Sequence, residues 1–174
     1  PNTHSKMKTP RAFLELIKTS DFPDVLAMFK EPGIFRFIGP LENQSDAFYR
    51  EMLTERLRQH QIKYGYYWVA RLHTTRDLIG CMNLNPFRGS GKMQLGFQIH
   101  PKWQGKGFAT ELSLPIIEFA KQELQLAELH AYWEKENIAS GKVLEKLGFE
   151  YVESRRFRDD VEDVLLEVVR LNLK

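Results

Sequence analysis

The sequence predicts an α/β fold, a mixed sheet with helices packed on it. Three observations carry that expectation. Short apolar runs with period-two alternation recur from Ala12 to Leu171. Amphipathic stretches with apolar residues three and four apart stand among them. No internal repeat, low-complexity segment or linker divides the 174 residues, a length that suits one domain with a substantial core.

Residues 1–8 read as a loose tail, followed by a strand over 12–17. Asp21 is placed as the N-cap of a helix that tolerates Pro23 in its first turn, presents Phe22, Val25, Leu26 and Phe29 to the core, and stops at Glu31-Pro32-Gly33. The segment 35–40 is an apolar, irregular connection of the kind that lines pockets. A second helix starts at Ser45, with Phe48, Met52, Leu53 and Leu57 inward and Glu51, Glu55, Arg56, Arg58 and Gln59 in water. Strands follow over 66–72 and 77–83 around a polar turn at 73–76, and 86–91 is turn-rich.

The strand over 93–99 puts Met93, Leu95, Phe97 and Ile99 on one face, with Gln94, Gly96, Gln98 and His100 on the other. The helix that opens near Gly107 carries Leu112, Ile116, Phe119 and Leu124 on one side, and Pro115 inside it predicts a kink or a loosened turn. A strand over 127–133 and a helix over 138–147 come next, capped by Asn137 at one end and Gly148 at the other. Two strands, 149–156 and 161–171, close the chain as a hairpin with a charged tip.

The net charge is +2, and the densest basic cluster, Arg155, Arg156 and Arg158, is followed at once by Asp159, Asp160, Glu162 and Asp163. That pairing reads as a solvated turn, so no DNA partner is expected, and ribosome association has only weak support. Cys81, the single cysteine, sits in an apolar run and reads as a buried hydrophobe compatible with a reducing compartment. No stretch approaches the roughly 18 apolar residues that span a bilayer, and no secretory pattern is present, so a cytoplasmic protein without a membrane partner is expected. Nothing in the pattern calls for a metal, and monomer and homodimer both stay open.

The run Gln104-Gly105-Lys106-Gly107-Phe108-Ala109-Thr110 follows a strand and opens a helix. Glycines permit close backbone approach, and first-turn N–H groups lack intrahelical partners and lie at the positive end of the helix dipole. Such a loop suits phosphate oxygens, and a plain tight turn is the alternative.

The stretch Leu95-Gly96-Phe97-Gln98-Ile99-His100-Pro101, leading into that loop and on to Glu111, resembles the acetyl-CoA-binding region of the GNAT superfamily of N-acetyltransferases, and is most like the RimJ/RimL type that acts on ribosomal-protein N-termini. Asn137-Ile138-Ala139-Ser140, continuing to Leu144-Glu145-Lys146-Leu147-Gly148-Phe149, is similar to the asparagine helix of the same group. With Thr9-Pro10-Arg11, Glu31-Pro32, Arg36-Phe37-Ile38 and Asp163-Val164-Leu165-Leu166, the likeness covers nearly the whole chain. It implies a mostly antiparallel sheet in which strands 93–99 and 127–133 run parallel and splay apart. It also implies acetyl-CoA as cofactor and acetyl transfer to a primary amine, on a small molecule or a peptide N-terminus, within a ternary complex. Phe97, Gln98 and Ile99 would bond the pantetheine arm, residues Gln104, Gly105, Lys106, Gly107, Phe108, Ala109 and Thr110 would cradle the pyrophosphate, and Asn137 and Ser140 would stand beside the arm.

Amide formation needs the amine deprotonated, a developing oxyanion stabilised and a thiolate received. Coenzyme A thiol resembles cysteine, with a pKa of about 8.5, and an α-amine near 8 loses its proton more readily than a lysine near 10.4. Gln94 stands where many relatives carry glutamate, and an amide accepts no proton at neutral pH. The base must then come from elsewhere, with His100, Glu51, Glu55, His60 and His73 in view, or the chain is a non-catalytic acyl-CoA-binding module. His100 has a suitable intrinsic pKa but lies in a His-Pro step that also reads as structural. Leu144 replaces a superfamily tyrosine that protonates the thiolate. Relatives of the RimJ/RimL type carry a serine at the place of Ser140, so the resemblance implies that its hydroxyl donates to the sulfur, with a bond to its own helix the alternative. Phe35, Phe37 and Gln94 are the candidates for the substrate wall, with core packing the alternative for the two phenylalanines.

Overall fold

The computed structural model describes residues 6–88 and 90–174. Its strands are β1 (Lys6–Lys8), β2 (Ala12–Leu16), β3 (Tyr66–Leu72), β4 (Leu78–Pro86), β5 (Met93–Ile99), β6 (Glu128–Trp133), β7 (Glu150–Arg158) and β8 (Asp163–Asn172). The helices are α1 (Phe22–Phe29), α2 (Asp46–Gln61), α3 (Phe108–Gln122) and α4 (Ile138–Lys146). One sheet runs β1-β2-β3-β4-β5-β6-β8-β7. Its neighbours are antiparallel except β5 and β6, which α3 joins as a parallel crossover.

Period-two alternation feeds two cores, one on each face. Tyr67, Val69 and Cys81 pack with Val25, Leu26 and Phe29 of α1 and Tyr49 and Leu53 of α2. Trp68, Met82, Leu95 and Ile99 pack on the opposite face with Leu112, Ile116 and Phe119 of α3 and Leu144 of α4. Cys81 is buried, and burial pushes its thiol up to about 12, so it acts as a small hydrophobe.

β5 and β6 register only at Gln94↔His130. Beyond that point β5 keeps its antiparallel partner on β4 but has no registered partner on its other side. The expected splay is therefore present, and alternate backbone groups along 95–99 face away from β4 without a ladder to join.

The structure corrects three local expectations. Residues 6–8, read as tail, pair with β2 as an edge strand, while residues 1–5 lie outside the described residues. Asp21 stands at the N-cap position of α1, but its side chain makes no cap bond there. It closes a 3-10 turn in which its buried carboxylate accepts the Lys18 N–H at 3.0 Å and pairs with Arg71 Nη2 at 2.9 Å. The inward residue of the first turn of α2 is Tyr49, whereas Phe48 is 39% exposed. Tyr49 wins that place because its ring meets Phe29 and Phe35 and its hydroxyl still donates to Leu41 O at 2.6 Å. α3 is assigned as one helix with Pro115 inside it. Ser45, Asn137 and Gly148 stand at the helix ends assigned to them, Ser45 accepting from Phe48 N–H, Asn137 from Ser140 N–H, and Gly148 at φ 97°.

The last turn of α2 is tied to β3 by His60, whose Nε2 accepts the Tyr67 N–H at 2.8 Å. Burial, then Arg56, pulls the ring down from 6.5 to about 4. Its folded pKa lies below the unfolded value, so the neutral ring stabilises the fold fully above the unfolded value. That contribution is lost as pH falls toward 4. After allowance for solvent screening of a half-buried ring, the loss should be about 1–2 kcal/mol. Urea unfolding of the wild type and His60→Gln, near neutrality and at about pH 4.5, should show the wild type losing more by that amount. Parallel losses would remove the ring from the linkage.

Candidate active site

The splay opens a cleft of ≈ 400 Å³ between the two helical layers. Gly96, Phe97 and Gln98 of β5 and residues 131–134 at the end of β6 form its floor. Asn137, Ser140 and Leu144 at the start of α4 stand on one side, and the 35–41 connection with Met52 and Arg56 of α2 on the other.

β5 continues through the turn Pro101–Trp103 to the glycine loop. Gly105 and Gly107 have φ of 73° and 83°, a region costly for residues with a Cβ, and Gly107 is itself the N-cap of α3. The first intrahelical bond runs from Glu111 N–H to Gly107 O at 3.1 Å, so the N–H groups of Phe108, Ala109 and Thr110 precede the helical ladder. A Cβ built at Gly105 meets nothing within 4 Å, so the space over the turn is open. This donor set fits an anionic phosphate chain.

The loop is latched from β2. Arg11 donates from Nη2 to Lys106 O at 2.9 Å and from Nε to Glu111 Oε1 at 2.8 Å, and its guanidinium lies 3.9 Å from the Phe108 ring centroid. Thr9 Oγ1 donates to Glu111 Oε2 at 2.7 Å. Burial raises the Glu111 carboxyl, but the donors from Thr9 and Arg11 outweigh it and hold the group below the ordinary value. Gln104 belongs to the same scaffold: its Nε2 donates to Ile99 O at 2.9 Å and its N–H to Pro101 O. The structure thus spends the Gln104 donors and the Ile99 carbonyl on holding the turn. The Phe108 side chain is buried, leaving only its backbone for a ligand.

At the start of α4, Asn137 accepts the Ser140 N–H on Oδ1 at 3.3 Å. Ser140 Oγ has no hydrogen-bond partner among the described residues and lines the cleft. Ser113 on α3 shows the contrast, donating to Ala109 O four residues back at 2.7 Å. The helix-bonding alternative for Ser140 is therefore not the state seen.

Comparison with known proteins decides the family. The profile of the acetyltransferase (GNAT) domain matches residues 11–150, well over half of the chain. The chain belongs to the GNAT acetyltransferases. The uncharacterized N-acetyltransferase YoaA of Bacillus subtilis is 25% identical over 145 residues, 83% of this chain and 82% of that one. The ribosomal protein uS5-alanine N-acetyltransferase of Escherichia coli is 35% identical over 77 residues, 43% of this chain and 40% of that protein. Among solved structures, spermidine N-acetyltransferase from Vibrio cholerae in complex with CoA and spermine superposes with a TM-score of 0.77 at 16% identity, covering 93% of this chain and 95% of that one.

GNAT enzymes use acetyl-CoA. In this GNAT domain the side of the cleft away from the asparagine helix holds Phe35, Phe37, Tyr67, Asn83 and Gln94. Phe35 is 1% exposed and belongs mainly to the core, touching the cleft at its edge, while Phe37 is half-buried at the wall. Gln94 lines the cleft, as does Leu144, which is buried. Gly96 allows the buried Asn83 amide to lie against β5, because a Cβ there would stand 2.6 Å from Asn83 Oδ1.

His100, a catalytic candidate in the sequence, stands outside this cleft. Its Nδ1 accepts the Lys102 N–H at 3.1 Å and its Nε2 lies 3.6 Å from Glu31, because the His-Pro step makes it the N-cap of the turn Pro101–Trp103. The other bases in view are also committed or misplaced. Glu55 binds Arg58, His60 receives the Tyr67 N–H, His73 Nε2 lies 2.8 Å from Thr9 O, and Glu51 is exposed and outside the cleft lining.

Two carboxylates line the cleft among the described residues, Glu134 and Glu162. Glu162 is paired with Arg88. Glu134 has no ion-pair partner there, and burial, then Glu136, raises its carboxyl above the ordinary value. The sequence reading passed over Glu134, although its place three residues before Asn137 and in phase with Tyr132 was available. It also passed over Asn83, and it put Arg56 in water.

Proposed function

We propose that this GNAT domain transfers the acetyl group of acetyl-CoA to a primary amine by direct attack in a ternary complex. The observation that carries the reading is the continuity of β5, whose Gly96–Gln98 segment floors the cleft and whose end leads into a loop of unpaired N–H groups. The backbone of Gly105 to Thr110 would hold the pyrophosphate, Phe97 and Gln98 the pantetheine arm, and Asn137 the segment beside it. When bound, the cofactor supplies an acetyl thioester.

Glu134 takes a proton from the attacking amine, directly or through one water, which replaces the base missing at Gln94. Free backbone N–H groups along β5 stabilise the charge that develops on the acyl oxygen. Ser140 Oγ would donate a hydrogen bond to the cofactor's sulfur, which leaves as a thiolate and needs no proton from the serine itself. Gln94 and Phe37 position the acceptor, with Phe35 behind them. An α-amine, free or at a peptide N-terminus, suits a carboxylate base better than lysine does, since its pKa is lower by about 2.

Acetyl-CoA-dependent thiol release across a panel of amines, amino acids and N-terminal peptides tests this reading, and release with an α-amine is expected. Acetyl-CoA binding by calorimetry without release for any acceptor would instead make the domain an acyl-CoA-binding module. The Ser140→Ala variant should lower kcat about tenfold while leaving the KM for acetyl-CoA within about twofold. Equal kcat would dismiss the hydroxyl as a hydrogen-bond donor to the leaving sulfur.

A further inference from the structure

We infer that the acceptor is a small amine that also carries a carboxylate, bound through that carboxylate to Arg56 of α2; the inference rests on the acetyl-transfer reading of the cleft. Arg56 is half-buried and lines the cleft beside Met52. Among the described residues its guanidinium has no carboxylate or carbonyl partner, only the Tyr67 ring, whose centroid is 5.0 Å away. Its chain neighbour Glu55 is bound to Arg58 at 2.5 and 2.9 Å. The other guanidinium of the cleft, Arg88, is paired with Glu162 and lies 3.8 Å from Asp159.

A guanidinium drawn partly out of water without an acceptor costs free energy, and a carboxylate in fork geometry returns it. The charge pattern also argues against a polycationic acceptor. Among the described residues Glu134 is the one carboxylate of the cleft left without an ion-pair partner, and Arg56 would repel a second ammonium. An amine attracted to Glu134 and a carboxylate attracted to Arg56 describe a zwitterion. Apart from those charges much of the lining is apolar and aromatic, including Phe29, Phe35 and Phe37 and the stacked pair Phe87 and Tyr132, centroids 3.7 Å apart. A cleft of ≈ 400 Å³ that also takes the pantetheine arm leaves room for about one residue of the acceptor. The chemistry is that of a free apolar or aromatic α-amino acid.

The test is calorimetric binding to the CoA-saturated protein of a panel of apolar and aromatic amino acids, each beside its carboxamide and its decarboxylated amine. The wild type should bind at least one amino acid about 10-fold or more tighter than both counterparts. Arg56→Met should erase that preference without weakening the decarboxylated amine, and Arg56→Lys should keep part of it. Melting temperatures of both variants separate loss of the ligand contact from loss of the fold. Equal binding of all three forms, no binding of any, or a preference that survives in Arg56→Met overturns the inference; preference for the carboxamide assigns the cleft to peptide N-termini and overturns it too. Thiol release with the same compounds separates the two levels. Release without carboxylate preference leaves acetyl transfer standing and removes the inference, whereas carboxylate-dependent binding without release keeps the inference and removes acetyl transfer.

Discussion

Glu134→Gln is expected to lower kcat by about 100-fold or more while changing acetyl-CoA affinity by less than about threefold, in keeping with the usual contribution of a positioned general base. Glutamine keeps the shape and hydrogen-bonding reach of the side chain but accepts no proton at neutral pH. The pH profile carries the sharper signature. A base works in its ionised form, and burial together with Glu136 raises the Glu134 pKa above the ordinary carboxylate value. Activity should therefore climb with pH through a limb displaced above the normal glutamate range, and that limb should vanish in the variant. Glu136→Gln removes the like charge, so it should move the limb toward lower pH without abolishing turnover. A Glu134→Gln enzyme with the wild-type limb and rate would return the base to solvent or to the substrate.

Gly141→Ala is expected to destabilise the protein by about 1–2 kcal/mol, lowering its melting temperature by roughly 3–6 °C. Helix propensity alone predicts the opposite sign, since alanine gains about 1 kcal/mol over glycine in a helix interior. The sign reverses because a Cβ at this position would lie 2.5 Å from Trp133 Cη2 and 2.6 Å from Cζ3. The indole closes the end of β6 and lines the cleft, so α4 or the ring must move to make room. Movement of α4 shifts Asn137 and Ser140 relative to β5, and movement of the ring reshapes the cleft, so acetyl-CoA affinity should fall with the stability. Trp133→Phe in the Gly141→Ala background should restore part of both. A raised melting temperature in the single variant would show that the ring yields freely.

Much of this arrangement is legible in the residues themselves. The alternation from Met93 to Ile99 assigns Gln94, Gly96 and Gln98 to one face, and all three line the cleft. Ser45, Asn137 and Gly148 mark helix ends because capping is a short-range matter of one side chain or one backbone angle. Asp21 misled for the same reason in reverse. Its local pattern suits an N-cap, but Arg71, distant in sequence, draws the carboxylate into a buried pair. Phe48 and Tyr49 are adjacent and both aromatic, and only the shape of the Phe29–Phe35 cluster selects Tyr49.

The sequence by itself determined the alternation of strands and helices, the phosphate-ready loop and the asparagine helix, because each is written in contiguous residues whose conformational preferences act over a few positions. It also determined that Gln94 is no base. Only the tertiary structure decided which carboxylate stands at the cleft without an ion-pair partner among the described residues. His100 was sent away from the cleft by its own turn, and Glu134, Ser140, Arg56 and Asn83 were gathered around the splay from four separate elements. Glu55 and Arg58, three apart on α2, form a pair that the local helix pattern already encodes. Whether Glu134, Arg56 and Glu162 find partners depends instead on long-range packing: among the described residues Glu162 meets Arg88, and the other two form no ion pair.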